Sequence, residues 1–541
     1  MKQLLARLWN TWKEEQDPLF ERKLLLLALG AVFAWGLLAH AYGFLNGNFS
    51  HDGLNAIFAN GVEVYWKMQL GRLGTVAYRR VLRGRLNLPW LLGMLSLLWT
   101  GLAAYLTVKL LRLRRPAAVV LVSGVLIVNL STIAMGGTYL YEMDMNLFAV
   151  LLAALAVFLW DRYGWPGSLV GALLVTGVLS FYQSLLSVVI GLVMLRCIRR
   201  LLDGERFSAV FFPGLRSLLM LALGGGLYAM ILRHMVETRG IPVDTGSYNS
   251  VFRAMERAEG SPGLLDTLGD VYRSFSAAFF DRAAAHLSSP ALCLHVLLAV
   301  LAAALLLLFL ARGKTGWAEK LLLLTLAALL PLGLNVARLF SGRDGHDLMK
   351  YAFWLSYLLP LLLADAGMLP LPKVRRVAWI AAALMVGLLL WGGVYTANAV
   401  YVKKDLEQKA TLSLMTRVLG RIEDREGYVP GETELVFVGA NGTLNPALYG
   451  FSTYADITGA EAVSAIPGSF SAYYYNAYRA YFTYVLNTRV RLADDAVWDT
   501  MQSDERVLAM PAYPARDCIR ELDGVWVVKL GEPETETEAA A

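Results

Sequence analysis

The sequence predicts a mainly α, polytopic helical membrane protein with a small α/β domain at its C-terminal end. Three observations carry that prediction. The 541 residues are 57% hydrophobic and 17% charged, with a mean hydropathy of +0.50. The apolar residues come in long uncharged blocks such as Val296–Ala311 and Leu321–Leu334, and runs of about 20 apolar residues match the hydrocarbon thickness of a bilayer. After Val400 the blocks stop and shorter, mixed segments begin. Backbone polar groups cannot face lipid unpaired, so the spans read as helices.

Composition also narrows the function. Cys197, Cys293 and Cys518 lie far apart, with no CxxC spacing, so neither a disulfide framework nor a cysteine metal site is indicated. The net charge of +6 fits basic loops beside a membrane better than nucleic-acid binding. The first apolar run begins only after Lys23 and shows no small-residue cleavage site, unlike a secretory signal.

In chain order, residues 1–23 read as a charged cytoplasmic surface helix. Spans follow at Leu24–Leu45, Leu88–Leu111, Ala117–Met135 and Met145–Trp160. Gly167–Leu195 is too long for one span and is interrupted by SFYQS, with basic flanks on both sides. It reads as a hairpin of two short helices turning near Tyr182–Gln183. Phe211–Met235, Pro290–Ala311, Ala318–Ala337, Tyr351–Leu371 and Val377–Val400 complete about eleven spans.

Basic turns at Lys109–Arg115, Arg196–Arg206, Arg312–Lys320 and Lys373–Arg376 suit a cytoplasmic N-terminus. Residues 24–400 then form the membrane domain, with outer loops at 46–87 and 237–289. Residues 401–531 form an extracytoplasmic α/β domain, with strands at Glu434–Val438, Val507–Met510 and Gly524–Lys529. Its aromatic stretch Ser469–Tyr484 suits a membrane interface or a sugar-stacking surface. Residues 532–541 read as a disordered tail. The chain shows no internal repeat of the kind many secondary transporters carry.

The loop between the first two spans carries Asp52, then Lys67 and five arginines, Arg72, Arg79, Arg80, Arg83 and Arg85. Its basic residues break the positive-inside rule. They belong either to an interfacial helix with arginines snorkelling to headgroups or to a phosphate site. Asp52 is either a helix cap, a role Ser50 could also fill, or a base at the membrane surface. Glu142 and Asp144 precede the fourth span; they cap it or converge with Asp52 as a base and its partner, or as a metal site. Tyr182 and Gln183 bond another helix or line a headgroup pocket. The loop Asn335–Lys350 is a second outer basic loop, with Arg338, Arg343, His346 and Lys350, offset by Asp344 and Asp347. Arginine forks suit phosphate oxygens.

The order FSHDGL after the first span, LGR at Gly71–Arg72, YEMD before the fourth span, SFYQS in the hairpin, LMKYAF entering a late span and MPAYP…GVWVVKL in the tail resembles the polytopic glucosyltransferases of the serotype-converting O-antigen type (the type II kind), within the broader GT-C class. The resemblance runs over nearly the whole chain. It implies a hexosyltransferase of a bacterial plasma membrane, working on the outer face. A polyprenyl-phosphate sugar, typically glucose, is the implied donor, and a surface glycan is the implied acceptor. Asp52 falls at the place of the catalytic acid, and Arg72, Arg338 and Arg343 become candidates for the donor phosphate, joined by Lys350, Arg79 and Arg80. His51, Glu142, Tyr182, Gln183 and His346 are placed at the substrate pocket, and Asp144 beside the catalytic acid. Where related proteins often carry a pair of acids, His51–Asp52 supplies one, and this departure weighs against a version of the site that binds a divalent metal such as Mg or Mn. A lipid-linked glycan flippase and a non-catalytic envelope-glycan scaffold are the competing functions.

Overall fold

The structure is a computed structural model of the chain. It describes residues 18–47, 50, 53, 54, 56, 61–113, 115–240, 263–282, 288–313, 315–341, 346–366, 372–439 and 479–532. The described elements are mostly helical and fall into two compact units.

Helix α1 (Pro18–Asn46) is the first described element. It starts at Pro18, so residues 18–23 belong to the first long helix rather than to a separate surface segment. Its proline sits in the first turn, where its missing N–H costs nothing. Helices α2 (Gly61–Gln69) and α3 (Leu73–Tyr78) follow, and a single π turn at Arg79–Arg83 continues α3. Helix α4 (Pro89–Leu110) matches the second expected span. The third is a pair bent by 45°, α5 (Pro116–Ile127) and α6 (Leu130–Gly137). Asn129 makes the bend: its Oδ1 accepts from the Thr132 N–H at 3.0 Å, and the Thr132 hydroxyl accepts from the Asn129 N–H at 3.2 Å. That reciprocal pair restarts the helix as a capping box does.

Helix α7 (Leu140–Phe181) is 42 residues long and breaks at Gly164 (φ 62°, ψ −130°), just before Pro166. Tyr182 is extended, Gln183–Leu185 forms a 3₁₀ turn, and α8 (Leu186–Leu202) follows. Asp161 and Arg196 meet at 2.9 Å across this stretch, so the chain runs out, reverses at Tyr182–Gln183 and returns. The expected hairpin is therefore present. Then come α9 (Phe207–Arg239), α10 (Leu264–Phe280), α11 (Ser289–Arg312), α12 (Trp317–Leu334) and α13 (Val336–Ser341). An eleven-residue 3₁₀ helix, Asp347–Tyr357, leads into α14 (Leu358–Asp365), and α15 (Pro372–Glu423) is one helix of 52 residues.

Eight of the described helices are long and apolar enough to cross a membrane, or nine if the bent pair is one span. The difference from eleven has two sources. Helix α7 joins two expected spans across its kink, and α8 has only 17 residues.

In the first unit, built from described residues of 1–44, 59–135 and 142–397, the basic turns come together through ion pairs. Lys109 meets Glu21 at 2.9 Å, Arg115 and Arg199 both reach Asp365 at 3.1 and 3.0 Å, and Arg200 reaches Glu205 at 2.6 Å. Glu319 accepts from the Phe207 N–H at 2.8 Å. Turns far apart in sequence thus share one end of the helix bundle.

The second unit takes described residues of 45–58, 136–141 and 398–541. Its sheet has the order β2-β1-β4-β3, with β1 (Glu434–Val438), β2 (Arg491–Leu492), β3 (Ile519–Leu522) and β4 (Val525–Lys529). Strand β1 pairs parallel with both β2 and β4, and β3 antiparallel with β4. Glu434–Val438 and the 524–529 strand are where the sequence put them. Val507–Met510 is not a strand: α16 (Asp495–Ser503) is followed by α17 (Glu505–Leu508), whose N-cap Asp504 accepts from the Arg506 N–H at 2.7 Å. The partner of β4 is instead β3, through Asp523–Gly524, both at positive φ (54° and 83°), as a two-residue I′ hairpin requires. Of the aromatic stretch, residues 469–478 lie outside the described residues. Residues 479–484 are helical, and Tyr481 and Phe482 pack into the core of this unit, Phe482 stacked on Phe437 at 5.4 Å. These two rings therefore serve a globular core, not a membrane interface.

Candidate active site

The turn between α2 and α3 decides where Arg72 points. The Arg72 N–H donates to the Lys67 carbonyl (2.8 Å) and the Gly71 N–H to the Met68 carbonyl (3.0 Å). This is the paired C-terminal closure of a Schellman motif, which needs a left-handed residue. Gly71 provides it at φ +73°. The turn is clamped from two other elements. The Gln183 amide donates to the Leu70 carbonyl and the Tyr228 hydroxyl, each at 2.9 Å, and the Tyr228 hydroxyl donates to the Gly71 carbonyl at 3.1 Å. A Cβ on Gly71 would strike that hydroxyl. Gly71→Ala is therefore expected to cost about 1–2 kcal/mol in backbone strain alone, seen as a lower unfolding midpoint of the purified protein.

The clamp turns Arg72 inward. It is 6% exposed, lies over the Tyr182 ring at 4.6 Å and reaches Glu142 at 3.5 Å. Lys67, also buried, pairs with the other oxygen of Glu142. One carboxylate in the first turn of α7 thus holds two cations from the preceding loop. Asp144 lies two residues on, so its side chain leaves α7 in a different direction. It is fully buried, meets Arg83 at 3.5 Å and faces the Tyr78 hydroxyl, which accepts from the Trp99 indole at 2.9 Å. Arg83 also bonds Asn87. Arg79 is buried beside both acids, whereas Arg80 is exposed. With Arg72, Arg79 and Arg83 at 6%, 7% and 8% exposure, these three arginines do not snorkel to headgroups; they belong to a built interior.

The second basic loop is arranged differently. Arg338 lies 3.9 Å from Asp270, and Lys350 pairs with Asp347 at 3.0 Å in the self-paired manner the sequence allowed. His346 is exposed at the start of the 3₁₀ helix. Both α13 and this 3₁₀ helix pack on the Gln183–Leu185 turn, whose first residue bonds Leu70. The hairpin tip therefore stands between the Arg72 turn and the Arg338–Lys350 loop. His51, Asp52 and Arg343 lie outside the described residues. Beside them, the Ser50 hydroxyl accepts from the Gly53 N–H at 3.0 Å and donates to the Thr138 carbonyl at 2.6 Å. Among the described residues no three His, Cys, Asp or Glu side chains gather as a metal site.

A family model described as glucosyl transferase GtrII matches residues 41–363, more than half of the chain. The chain belongs to this family. No curated protein matches it. The GtrII match contains every described residue of the cluster around Glu142 and Asp144, and it ends before the C-terminal sheet. Of the residues brought together here, the sequence reading left Lys67, Tyr78, Arg83 and Tyr228 off the site. Lys67 and Arg83 were visible as charges in the first loop. Tyr228 had a weaker signal, one tyrosine after three glycines in an apolar run.

Proposed function

We propose that this GtrII-family protein is a bacterial plasma-membrane enzyme that moves glucose from a polyprenyl-phosphate donor to a surface glycan on the outer face. The observation that carries the reading, beside family membership, is the pair Lys67 and Arg72 held on Glu142 inside the protein. Cations fixed in direction before substrate arrives stabilise developing phosphate charge without reorganisation.

Asp52 is assigned the general base. It takes the proton of the acceptor hydroxyl as that oxygen attacks the anomeric carbon. The bond from that carbon to the phosphate oxygen breaks, and its electron pair leaves with the lipid phosphate. Arg72 and Lys67, with Arg79, Arg338, Arg343 and Lys350, are assigned to the phosphate, and exposed Arg80 to its approach. Single displacement inverts the anomeric centre. Asp144 orients Arg83; Tyr182 and Gln183 hold the Arg72 turn; His51 and His346 are placed at the sugar.

The test is a panel of polyprenyl-phosphate sugars presented to the reconstituted protein with an acceptor glycan. Glucose is expected to appear covalently on the glycan. Lipid-linked glycan that crosses the vesicle membrane unchanged in composition would favour the flippase instead.

A further inference from the structure

A second cluster of arginines lies at the opposite end of the hairpin. Arg196 in α8 is 2% exposed. Its Nε donates to Asp161 at 2.9 Å, while its Nη1 is buried with no hydrogen-bond partner among the described residues. Arg200 reaches the other oxygen of Asp161 at 3.7 Å and Glu205 at 2.6 Å. Arg216 comes in from α9. It donates to the Trp160 carbonyl at 2.7 Å and lies 5.8 Å from the Trp160 ring. Its Nε is likewise buried without a partner among the described residues, and its Nη1 lies beside Gly164, where α7 breaks. Arg196 and Arg200 thus share Asp161, Arg200 also holds Glu205, and Arg216 stands at Trp160 and Gly164. A buried donor left unmade costs about 1–3 kcal/mol, and this end of the hairpin holds two of them. The resumed helix after Gly164 adds the positive end of its dipole. Trp165 on the same break is 58% exposed, as a ring seated among headgroups would be.

We infer that Arg196, Arg200 and Arg216, around the Gly164 break, form a binding site for the phosphodiester headgroup of an anionic bilayer phospholipid. Arginine forks match phosphate oxygens, and basic pockets between membrane helices take such headgroups. The site is not the proposed donor site. Gln183 and Arg200 stand at the two ends of α8 with its preceding turn, and a helix of that length spans roughly 25 Å. That is close to the hydrocarbon thickness, about 30 Å, so the two clusters serve opposite faces. The inference rests on the membrane reading but not on the glucosyl-transfer chemistry.

The test uses the full chain in nanodiscs of phosphatidylcholine mixed with phosphatidylglycerol, with retained lipid identified by native mass spectrometry. Wild type is expected to retain phosphatidylglycerol in preference to phosphatidylcholine. Arg216→Gln, and separately Arg200→Gln, should weaken that preference about fivefold, with Arg216→Lys keeping part of it. Arg376→Gln removes an exposed charge from the basic Lys373–Arg376 turn, and the preference should survive. The inference is overturned if wild type shows no preference, if Arg376→Gln loses as much as Arg216→Gln, or if inorganic phosphate or polyprenyl phosphate displaces phosphatidylglycerol equally well. Should either glutamine variant fail to fold, the wild-type preference and the Arg216→Lys variant still decide.

Discussion

Asp52→Asn is expected to lower turnover by about 10²- to 10⁴-fold, the range of general acid–base contributions, while the affinity for polyprenyl-phosphate glucose stays within about twofold. The amide keeps the size of the side chain but cannot take a proton at neutral pH. Donor affinity rests on cations elsewhere in the chain, so binding and chemistry should separate. Single-turnover kinetics with a labelled donor, beside equilibrium binding of the same donor, reads both quantities. A scaffold would show neither change, and a structural aspartate would lose binding and folding together. Equal turnover of variant and wild type would remove Asp52 from the mechanism.

Glu142→Gln is the second large effect, and it acts first on stability. The carboxylate pairs with Lys67 and with Arg72, all three side chains buried. Removing one partner of a buried pair costs about 3–5 kcal/mol, because the remaining charge keeps its desolvation penalty without its compensation. The variant is expected to unfold at markedly lower temperature in detergent, and its surviving fraction to bind donor more weakly, since Arg72 is no longer directed. Arg80→Gln is the matched control: Arg80 is exposed, and surface substitutions of this kind change stability by less than about 0.5 kcal/mol. A stability loss in Glu142→Gln no greater than in the control would mean that Glu142 does not hold the cluster.

Much of this was legible in the sequence, for physical reasons that differ from place to place. Hydropathy located the long helices because lipid imposes their length and polarity. It missed the start of α1 at Pro18, since helix continues past the apolar block whenever caps and propensity allow. The hairpin was visible because Tyr182 and Gln183 interrupt an apolar run between basic flanks. What Gln183 does was not visible, since its partners Leu70 and Tyr228 are distant in the chain. The LGR sequence at 70–72 carried its own turn signal in Gly71. The pairing of Glu142 with Lys67 and Arg72 had none, because spacing along a chain does not report which loops meet. Val507–Met510 was misread because four apolar residues fit either period; Asp504, three residues ahead, was the cap that marked a helix start. The Asp523–Gly524 pair was a legible hairpin signal, and its first strand, Ile519–Leu522, was obscured by adjacent exposed charges at Arg520 and Glu521, which break the alternation of a strand.

The central claim is that a lipid phosphate leaves as glucose is transferred. The most direct measurement is a mass balance on the purified, reconstituted protein, given donor labelled in both the glucose and the lipid phosphate. One free polyprenyl phosphate is expected for each glucose bound to acceptor, with inverted anomeric configuration and no reaction when a nucleotide sugar replaces the lipid donor. Transfer from the nucleotide sugar, or glucosylated acceptor without matching release of polyprenyl phosphate, would contradict the account.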